Sequence, residues 1–171
     1  MLNGDTVVST VMSNGGFVNA LKQVGIHCVQ TAVGDKAVYE CMQTHDYCLG
    51  GEKSGHIIMR KYATTGDGLL TAIMLCEQVC DSKRSLSALC ERVAFYPQLT
   101  LSLHVKNKQA ALADKAVLAA LENVVARIGK QGRALLRESG TEPVLRVMVE
   151  SETEEKCRAL ADIVANAIIK G

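Results

Sequence analysis

The pattern of apolar residues changes at Pro97, and this change constrains the fold of the 171-residue chain more than any other feature. Before Pro97, short apolar runs alternate with segments whose apolar residues recur at helical spacing. After it, every second residue from Leu99 to Val105 is apolar, as in a half-exposed strand. Because proline also interrupts regular hydrogen bonding, we expect two domains, residues 1–95 and residues 98–171.

The first domain has the sequence pattern of an α/β fold. The apolar run from Thr6 to Met12 predicts a buried strand, and a helix, a second strand and a second helix follow it. A short strand pair is predicted around residues 49–59, and two more helices over residues 67–80 and 85–93. Strands that alternate with helices in units of this size indicate a sheet with much parallel pairing.

The second domain has a different predicted order, β-α-β-β-α. Two strands form a hairpin within the stretch "LLRESGTEPVLRVMVE", which begins at Leu135. A helix precedes this hairpin and another follows it, and their apolar faces consist of Val117, Leu121, Val124 and Ile128, and of Cys157, Leu160, Val164 and Ile168. This order indicates an α+β unit with a small antiparallel sheet and helices on one side.

Composition narrows the class of protein. Apolar residues make up 48% of the chain and charged residues 22%, which is typical of a globular protein. Aromatic residues make up only 4%, and the formal net charge is +1, so we expect no nucleic-acid partner. No segment approaches the roughly 20 uninterrupted apolar residues that span a bilayer, so we expect no membrane partner. Any anion site must therefore be local.

The seven cysteines contain no C-x-x-C pair. Their odd number, together with the lack of a secretory leader at the start of the sequence, favours a reducing cytoplasm. Cys76 and Cys80 lie four residues apart on a predicted helix, and we interpret them as small buried apolar residues rather than metal ligands. We assign no metal site to this chain.

The hairpin loop carries the groups that a phosphate needs. Arg137 offers a planar fork of donors, Ser139 and Thr141 offer hydroxyls, and Gly140 lets the backbone turn through positive φ and approach a ligand closely. Arg146, on the second strand, could bring another cation to the same end of the sheet. An ordinary tight turn is the alternative, and the two glutamates of this loop argue against an anion site unless they point away or orient the arginines.

A second polar loop, "GGEKSGH", lies between the two short strands. Residues two apart in an extended chain face the same way, so Glu52 and Ser54 could be presented together to sugar hydroxyls. His56 continues the alternation and is a candidate proton carrier, although a histidine satisfied by the backbone is the alternative. A third polar loop, a weak signal alone, lies at a strand-to-helix junction and consists of Gly34, Asp35 and Lys36.

The loops "GEKSGH" and "RESGTEP", in this order, resemble the sugar loop and the phosphate loop of the α-D-phosphohexomutase family. The stretches "DTVVSTVMSNGGF", "TAVGDKAV" and "TTGDGLLTA" are similar to the phosphoglucosamine mutase branch of that family, and the resemblance covers nearly the whole chain. It implies a three-layer α/β domain that binds sugar, followed by a small TBP-like domain that binds phosphate.

The resemblance also implies roles for the loop residues. Glu52 and Ser54 would contact the sugar, with the Gly34–Lys36 loop nearby, and His56 would be an acid/base at the reacting end. The ligands of the non-reacting phosphate would be Arg137, Ser139, Gly140, Thr141 and Arg146. The implied reaction passes a phosphoryl group from an enzyme phosphoserine to glucosamine 6-phosphate, through glucosamine 1,6-bisphosphate, and yields glucosamine 1-phosphate.

Two motifs of the family do not occur in the sequence: the S-x-N-P loop of the phosphoserine and the D-x-D-x-D-R loop that holds Mg²⁺. We therefore expect domains three and four of a mutase, which need domains one and two as partners. This chain alone would bind the phosphosugar without turnover. The alternatives are a free-standing phosphosugar-binding or regulatory module, half of a phosphomannomutase or phosphoglucomutase, and a structural domain whose loops are only turns.

Overall fold

A computed structural model describes residues 2–129 and 132–170. The chain forms two compact units, Met1–Phe95 and Tyr96–Gly171. No helix in the described ranges combines the length and the apolar character that a bilayer crossing requires.

The first unit alternates strands and helices as the sequence predicts. A short 3₁₀ turn over Asn3–Asp5 precedes the first strand. Its strands are β1 (Thr6–Thr10), β2 (His27–Thr31), β3 (Leu49–Gly51) and β4 (Ile57–Met59). Its α-helices are α1 (Gly15–Gln23), α2 (Asp35–Thr44), α3 (Gly68–Ser82) and α4 (Leu86–Cys90).

The sheet of this unit has the strand order β2-β1-β3-β4. Strands β2 and β3 pair with β1 in parallel, and β4 pairs with β3 in antiparallel orientation. The parallel strands therefore end at one edge of the sheet, at Thr10, Thr31 and Gly51. The loops that follow β1, β2 and β3 all begin at this edge.

Helix α2 packs against the centre of the sheet. Val8 and Ile58 from the sheet and Val38 and Met42 from α2 form a buried cluster. Gly50 allows the helix to approach closely, because a Cβ at this position would lie 2.5 Å from the Met42 sulfur and 2.8 Å from Val38 Cγ1. A side chain here would force α2 away from the sheet.

Helix α3 has no buried residue, although it is rich in apolar side chains. Leu69 is 74% exposed and Ile73 is 57% exposed. Cys76 and Cys80 lie on this helix and are exposed, so the interpretation of both as buried residues is wrong. Helix α4 is shorter than predicted.

Residues 96–129 and 132–170 of the second unit form three strands and three helices. The strands are β5 (Gln98–His104), β6 (Arg133–Glu138) and β7 (Val144–Glu150). The helices are α5 (Lys108–Ala113), α6 (Lys115–Ile128) and α7 (Glu154–Lys170). The predicted order lacked α5. Asn107 caps the start of this helix, and its side chain accepts a hydrogen bond from the Ala110 N–H.

The sheet of the second unit is fully antiparallel, with β7 between β5 and β6. Alternate residues of the three strands, among them Leu101, Leu136 and Val147, pack in one core with apolar residues of α5, α6 and α7. The helices therefore cover one face of the sheet, as the sequence predicts. Arg137 and Arg146 are each next in sequence to one of these core residues. Because successive side chains of a strand point to opposite faces, both arginines lie on the other face of the sheet.

Candidate functional site

The predicted sugar loop is a turn rather than an extended segment. The Gly55 N–H donates to the Glu52 carbonyl at 3.0 Å, and the Glu52 N–H donates to the His56 carbonyl at 3.1 Å. Gly55 has φ +96°, a left-handed conformation that favours glycine. The expectation that Glu52, Ser54 and His56 face the same way along extended chain is therefore wrong, because β3 ends at Gly51.

The turn nevertheless brings the three predicted side chains together at one ring nitrogen. His56 Nδ1 lies 3.2 Å from Glu52 Oε1 and 3.2 Å from Ser54 Oγ. A carboxylate can only accept, so Nδ1 carries the proton when the imidazole is neutral. The imidazole then offers Nε2 as a proton acceptor. More than half of the His56 side chain is exposed, so the ring can reach a ligand.

Glu52 connects the sugar loop to the third polar loop. Its side chain is only 11% exposed, and its Oε2 accepts a hydrogen bond from the Gly34 N–H at 3.3 Å. The two loops meet because β2 and β3 flank β1 in parallel and end at the same edge. In open α/β sheets, ligands bind beyond the carboxyl ends of the strands, at the point where the strand order reverses. Glu52 therefore orients Gly34 and His56.

The other two residues of the third loop have local partners. The Asp35 carboxylate accepts a hydrogen bond from the Lys36 N–H at 2.8 Å. The Lys36 ammonium lies 3.8 Å from the Glu40 carboxylate along α2, and both side chains are well exposed. The structure thus brings Gly34 to the sugar loop, whereas Asp35 and Lys36 remain on the exposed start of α2.

The segment that follows β1 also begins at this edge. Residues 13–16, with the sequence SNGG, have the composition of an ordinary turn. Asn14 caps α1 by accepting a hydrogen bond from the Gly16 N–H at 2.9 Å. The signal for its position was a buried strand followed within a few residues by a cap residue and two glycines. A loop that leads from a parallel strand to the next helix begins at the carboxyl edge of the sheet.

The predicted phosphate loop joins β6 to β7. Arg137 and Arg146 are directly opposed partners on these strands, so their side chains share one face. The Arg146 guanidinium pairs with the Glu142 carboxylate at 2.7 Å. Arg137 donates only a long hydrogen bond, 3.4 Å, to the Glu138 carbonyl, and has no carboxylate within ion-pair distance among the described residues. The Arg137 guanidinium is thus held beside a second positive charge, that of Arg146.

The chemistry of Arg137 reflects this placement. Partial burial, and then the neighbouring charge of Arg146, lower the pKa of the Arg137 guanidinium below its usual value. In the described ranges the Nε atoms of both arginines are buried without a hydrogen-bond partner. A bound anion would offset the repulsion between the two charges.

The tip of the loop shows which groups can reach a ligand. Ser139 is 3% exposed, whereas Gly140 and Thr141 are exposed. Gly140 does not have a positive φ, so that part of the prediction is wrong. A Cβ at Gly140 would meet no atom within 4 Å, which leaves the backbone open to close approach by a ligand.

Sequence reasoning missed Lys108 because it missed α5. Lys108 Nζ donates to the Ser139 carbonyl at 2.8 Å and lies 3.8 Å from the Glu138 carboxylate. The available signal was Asn107 followed by residues with high helix propensity, which is the pattern of a capped helix start.

Comparison with known proteins agrees with this architecture. The model of the phosphoglucomutase/phosphomannomutase α/β/α domain III matches residues 1–96, more than half of the chain. The model of the C-terminal domain of the same enzymes matches residues 101–167. The chain belongs to the phosphoglucomutase/phosphomannomutase family. The family resemblance inferred from the two loops and the predicted fold class are confirmed.

Two curated relatives in this family are phosphoglucosamine mutases. The protein from Lachnospira eligens is 49% identical over 167 residues, and the one from Geobacillus kaustophilus is 47% identical over 167 residues. Each alignment covers 98% of this chain but only 37% of the relative. The chain thus spans little more than a third of the length of these relatives.

Solved structures of the family share the fold. Aspergillus fumigatus N-acetylphosphoglucosamine mutase, in a complex with glucose 1,6-bisphosphate, superposes with a TM-score of 0.81 at 18% identity. The alignment covers 95% of this chain and 38% of that one. A complex of the same fungal enzyme with GlcNAc-6P and magnesium superposes with a TM-score of 0.78 at 17% identity, and covers 95% of this chain and 38% of that one.

Proposed function

We propose that this chain supplies the sugar-binding and phosphate-binding domains of a phosphoglucosamine mutase. Residues 1–95 form the sugar-binding domain, and residues 98–171 form the phosphate-binding domain. The whole enzyme interconverts glucosamine 6-phosphate and glucosamine 1-phosphate through glucosamine 1,6-bisphosphate. Relatives named phosphoglucosamine mutase at 49% and 47% identity support this assignment over a glucose or mannose mutase.

The observation that carries the proposal is the pair formed by Arg137 and Arg146. Two directly opposed guanidinium groups, one of them with no carboxylate partner in the described ranges, form a local cationic site in a chain whose net charge is only +1. Arginine forks bind phosphate oxygens in bidentate geometry. Gly140 and Thr141 supply further donors at the exposed tip of the same loop.

The sugar loop supplies groups that suit hydroxyls and proton transfer. Ser54 is exposed and can donate to or accept from a sugar hydroxyl. His56 offers Nε2 as an acceptor while Glu52 holds Nδ1, which supports the proposal that His56 is the acid/base at the reacting end. Glu52, which is mostly buried, contributes mainly by holding His56 and the Gly34 loop in position.

The reaction requires an anchor that accepts either phosphate. The 1,6-bisphosphate must bind in two opposed orientations, with a different phosphate at the reacting end each time. An arginine pair recognises the phosphate group rather than the sugar carbon that carries it. The phosphate loop can therefore hold whichever phosphate is not reacting.

The phosphoserine and Mg²⁺ of such an enzyme belong to other domains in this proposal. Within residues 2–129 and 132–170, no group of three His, Cys, Asp or Glu side chains could hold a metal ion. Domains one and two of the whole enzyme would supply both groups, and Mg²⁺ would stabilise the charge of the transferred phosphoryl group. We also place the whole enzyme in the cytoplasm, because a chain with seven cysteines and no C-x-x-C pair suits a reducing environment.

Three ligands test the proposal with this polypeptide. Calorimetric titration with glucosamine 6-phosphate, inorganic phosphate and glucosamine compares the complete ligand with each of its parts. We expect glucosamine 6-phosphate to bind more tightly than inorganic phosphate, and glucosamine to bind most weakly. Equal binding of glucosamine and glucosamine 6-phosphate would contradict a phosphate anchor.

A further inference from the structure

Lys108 joins helix α5 to the phosphate loop. Its ammonium donates to the Ser139 carbonyl at 2.8 Å and lies 3.8 Å from the Glu138 carboxylate. Less than a third of the Lys108 side chain is exposed, so water competes weakly for these contacts. The ammonium is therefore a fixed part of the loop rather than a mobile surface charge.

The contact with Ser139 fixes the orientation of one peptide group. The Ser139 N–H donates to the Val144 carbonyl at 3.0 Å, and the Ser139 carbonyl accepts from Lys108. In a trans peptide the C=O of one residue and the N–H of the next point in opposite directions, and the described chain has no cis peptide. Lys108 therefore also sets the direction of the Gly140 N–H, which points away from α5.

That direction matters because of the two faces of the sheet. Helix α5 packs through Ala111 and Leu112 on the helix-covered face. Arg137 and Arg146 lie on the opposite face. A Gly140 N–H that points away from α5 is thus turned toward the side of the two arginines.

We infer that Lys108 is a positioning residue of the phosphate loop: it holds the Ser139–Gly140 peptide so that the Gly140 N–H is a donor to the bound phosphate. This inference rests on the proposed function of the loop. Rotation of the same peptide by half a turn would direct the Ser139 carbonyl, an acceptor, at the phosphate oxygens. Glycine opposes such rotation less than other residues do, so an external contact is needed to prevent it.

Replacement of Lys108 by methionine tests the inference, because methionine keeps the apolar stem but neither donates nor carries charge. Lys115→Met is the matched control, since Lys115 is likewise the first residue of a helix in the same unit and is exposed. Lys108→Arg retains a cationic donor and should restore part of the effect. Glu138→Gln removes the carboxylate partner while leaving the carbonyl contact.

Two measurements are made on each variant. The first follows the Gly140 amide signal by NMR without ligand and then with inorganic phosphate, and the second determines the affinity for inorganic phosphate. We expect Lys108→Met to move the ligand-free Gly140 signal, to abolish its phosphate-induced downfield shift, and to weaken phosphate binding by about tenfold, as for the loss of one hydrogen bond to a charged group. Lys115→Met and Glu138→Gln should retain the phosphate-induced shift, with thermal melts like that of the wild type.

The outcomes separate this inference from the proposed function. Suppose that the wild type binds phosphate, and that folded Lys108→Met shows the same Gly140 shift and the same affinity as the wild type. That result overturns the positioning role alone. If Glu138→Gln loses the phosphate-induced shift and the affinity as Lys108→Met does, the effect of Lys108 comes from its ion pair with Glu138. That result also overturns the positioning role. A wild-type chain that binds no phosphate, with a Gly140 signal that still depends on Lys108, overturns the proposed function and with it the role of Lys108 in phosphate binding.

Discussion

Arg137 and Arg146 face each other as direct partners on β6 and β7, and only Arg146 has a carboxylate, that of Glu142, within ion-pair distance in the described ranges. Like charges opposite one another destabilise a strand pair. The arrangement therefore lowers stability unless an anion offsets the two charges. A phosphate between the guanidinium groups removes that cost, which is why we regard the pair as a binding feature.

Glu142→Gln should raise the affinity for inorganic phosphate. The Glu142 carboxylate lies 2.7 Å from the Arg146 guanidinium and must be displaced, at least in part, by phosphate oxygens. The pair is partly exposed, so we expect a gain of about twofold to fivefold, measured by calorimetry. Glu152→Gln removes the same charge from an i,i+4 pair with Lys156 and should leave the affinity nearly unchanged. Weaker binding by Glu142→Gln would show that Glu142 orients Arg146 instead.

Glu52→Gln and Ser54→Ala should weaken binding of glucosamine 6-phosphate while leaving binding of inorganic phosphate nearly intact. Glu52 holds both His56 and the Gly34 N–H, and Ser54 lies beside the same ring nitrogen. A glutamine can present its amide N–H to Nδ1, so we also expect ¹⁵N NMR to detect a loss of the Nδ1–H tautomer of His56 in Glu52→Gln. Equal losses for both ligands would mean that the loop supports the fold instead.

Strands and helices whose apolar residues recur at a regular spacing could be predicted well from the sequence. The alternation from Leu99 to Val105 and the helical faces ending at Ile128 and Ile168 correspond to β5, α6 and α7. Helix α5 has only six residues, which is too short for a helical repeat of apolar residues, so only its cap residue, Asn107, and the helix propensity of the residues after it could have indicated it.

The site was less predictable because its contacts are not local in sequence. Glu52 meets Gly34 only because β2 and β3 lie on either side of β1, and no spacing along the chain expresses that order. Lys108 meets Ser139 across 31 residues. The ligand-binding roles of the loop residues stay predictions, but the structure supplies the geometry with which to test them.

Gly50→Ala should destabilise the first unit. The added Cβ would lie 2.5 Å from the Met42 sulfur and 2.8 Å from Val38 Cγ1, so α2 must shift away from the sheet. Overpacking of this kind costs about 1–3 kcal/mol, which urea unfolding followed by circular dichroism would detect. Gly68→Ala is the matched control, because a Cβ at this first position of α3 meets nothing within 4 Å. Equal stability of the two variants would contradict the close approach of α2.

Cys157 should be the least reactive of the cysteines. It is 1% exposed, and burial raises the pKa of its thiol, so a smaller fraction is thiolate at any given pH. Cys76, Cys80 and Cys90 are exposed. Alkylation with iodoacetamide, followed by mass spectrometry, should modify these three first, and modification of native Cys157 should need a higher pH. Early labelling of Cys157 in folded protein would contradict the core packing of the second unit.

The most direct measurement compares the binding of glucosamine 6-phosphate by the wild type, Arg137→Ala and Arg137→Lys, by calorimetry at low and high salt. We expect Arg137→Ala to lose on the order of 1.5–3 kcal/mol of binding free energy. Arg137→Lys should recover only part of it, because an ammonium lacks the fork. The loss should shrink at high salt, since screening already weakens the wild-type contact. An unchanged affinity in a folded Arg137→Ala protein, verified by its thermal melt, would contradict the account and reduce the loop to an ordinary turn.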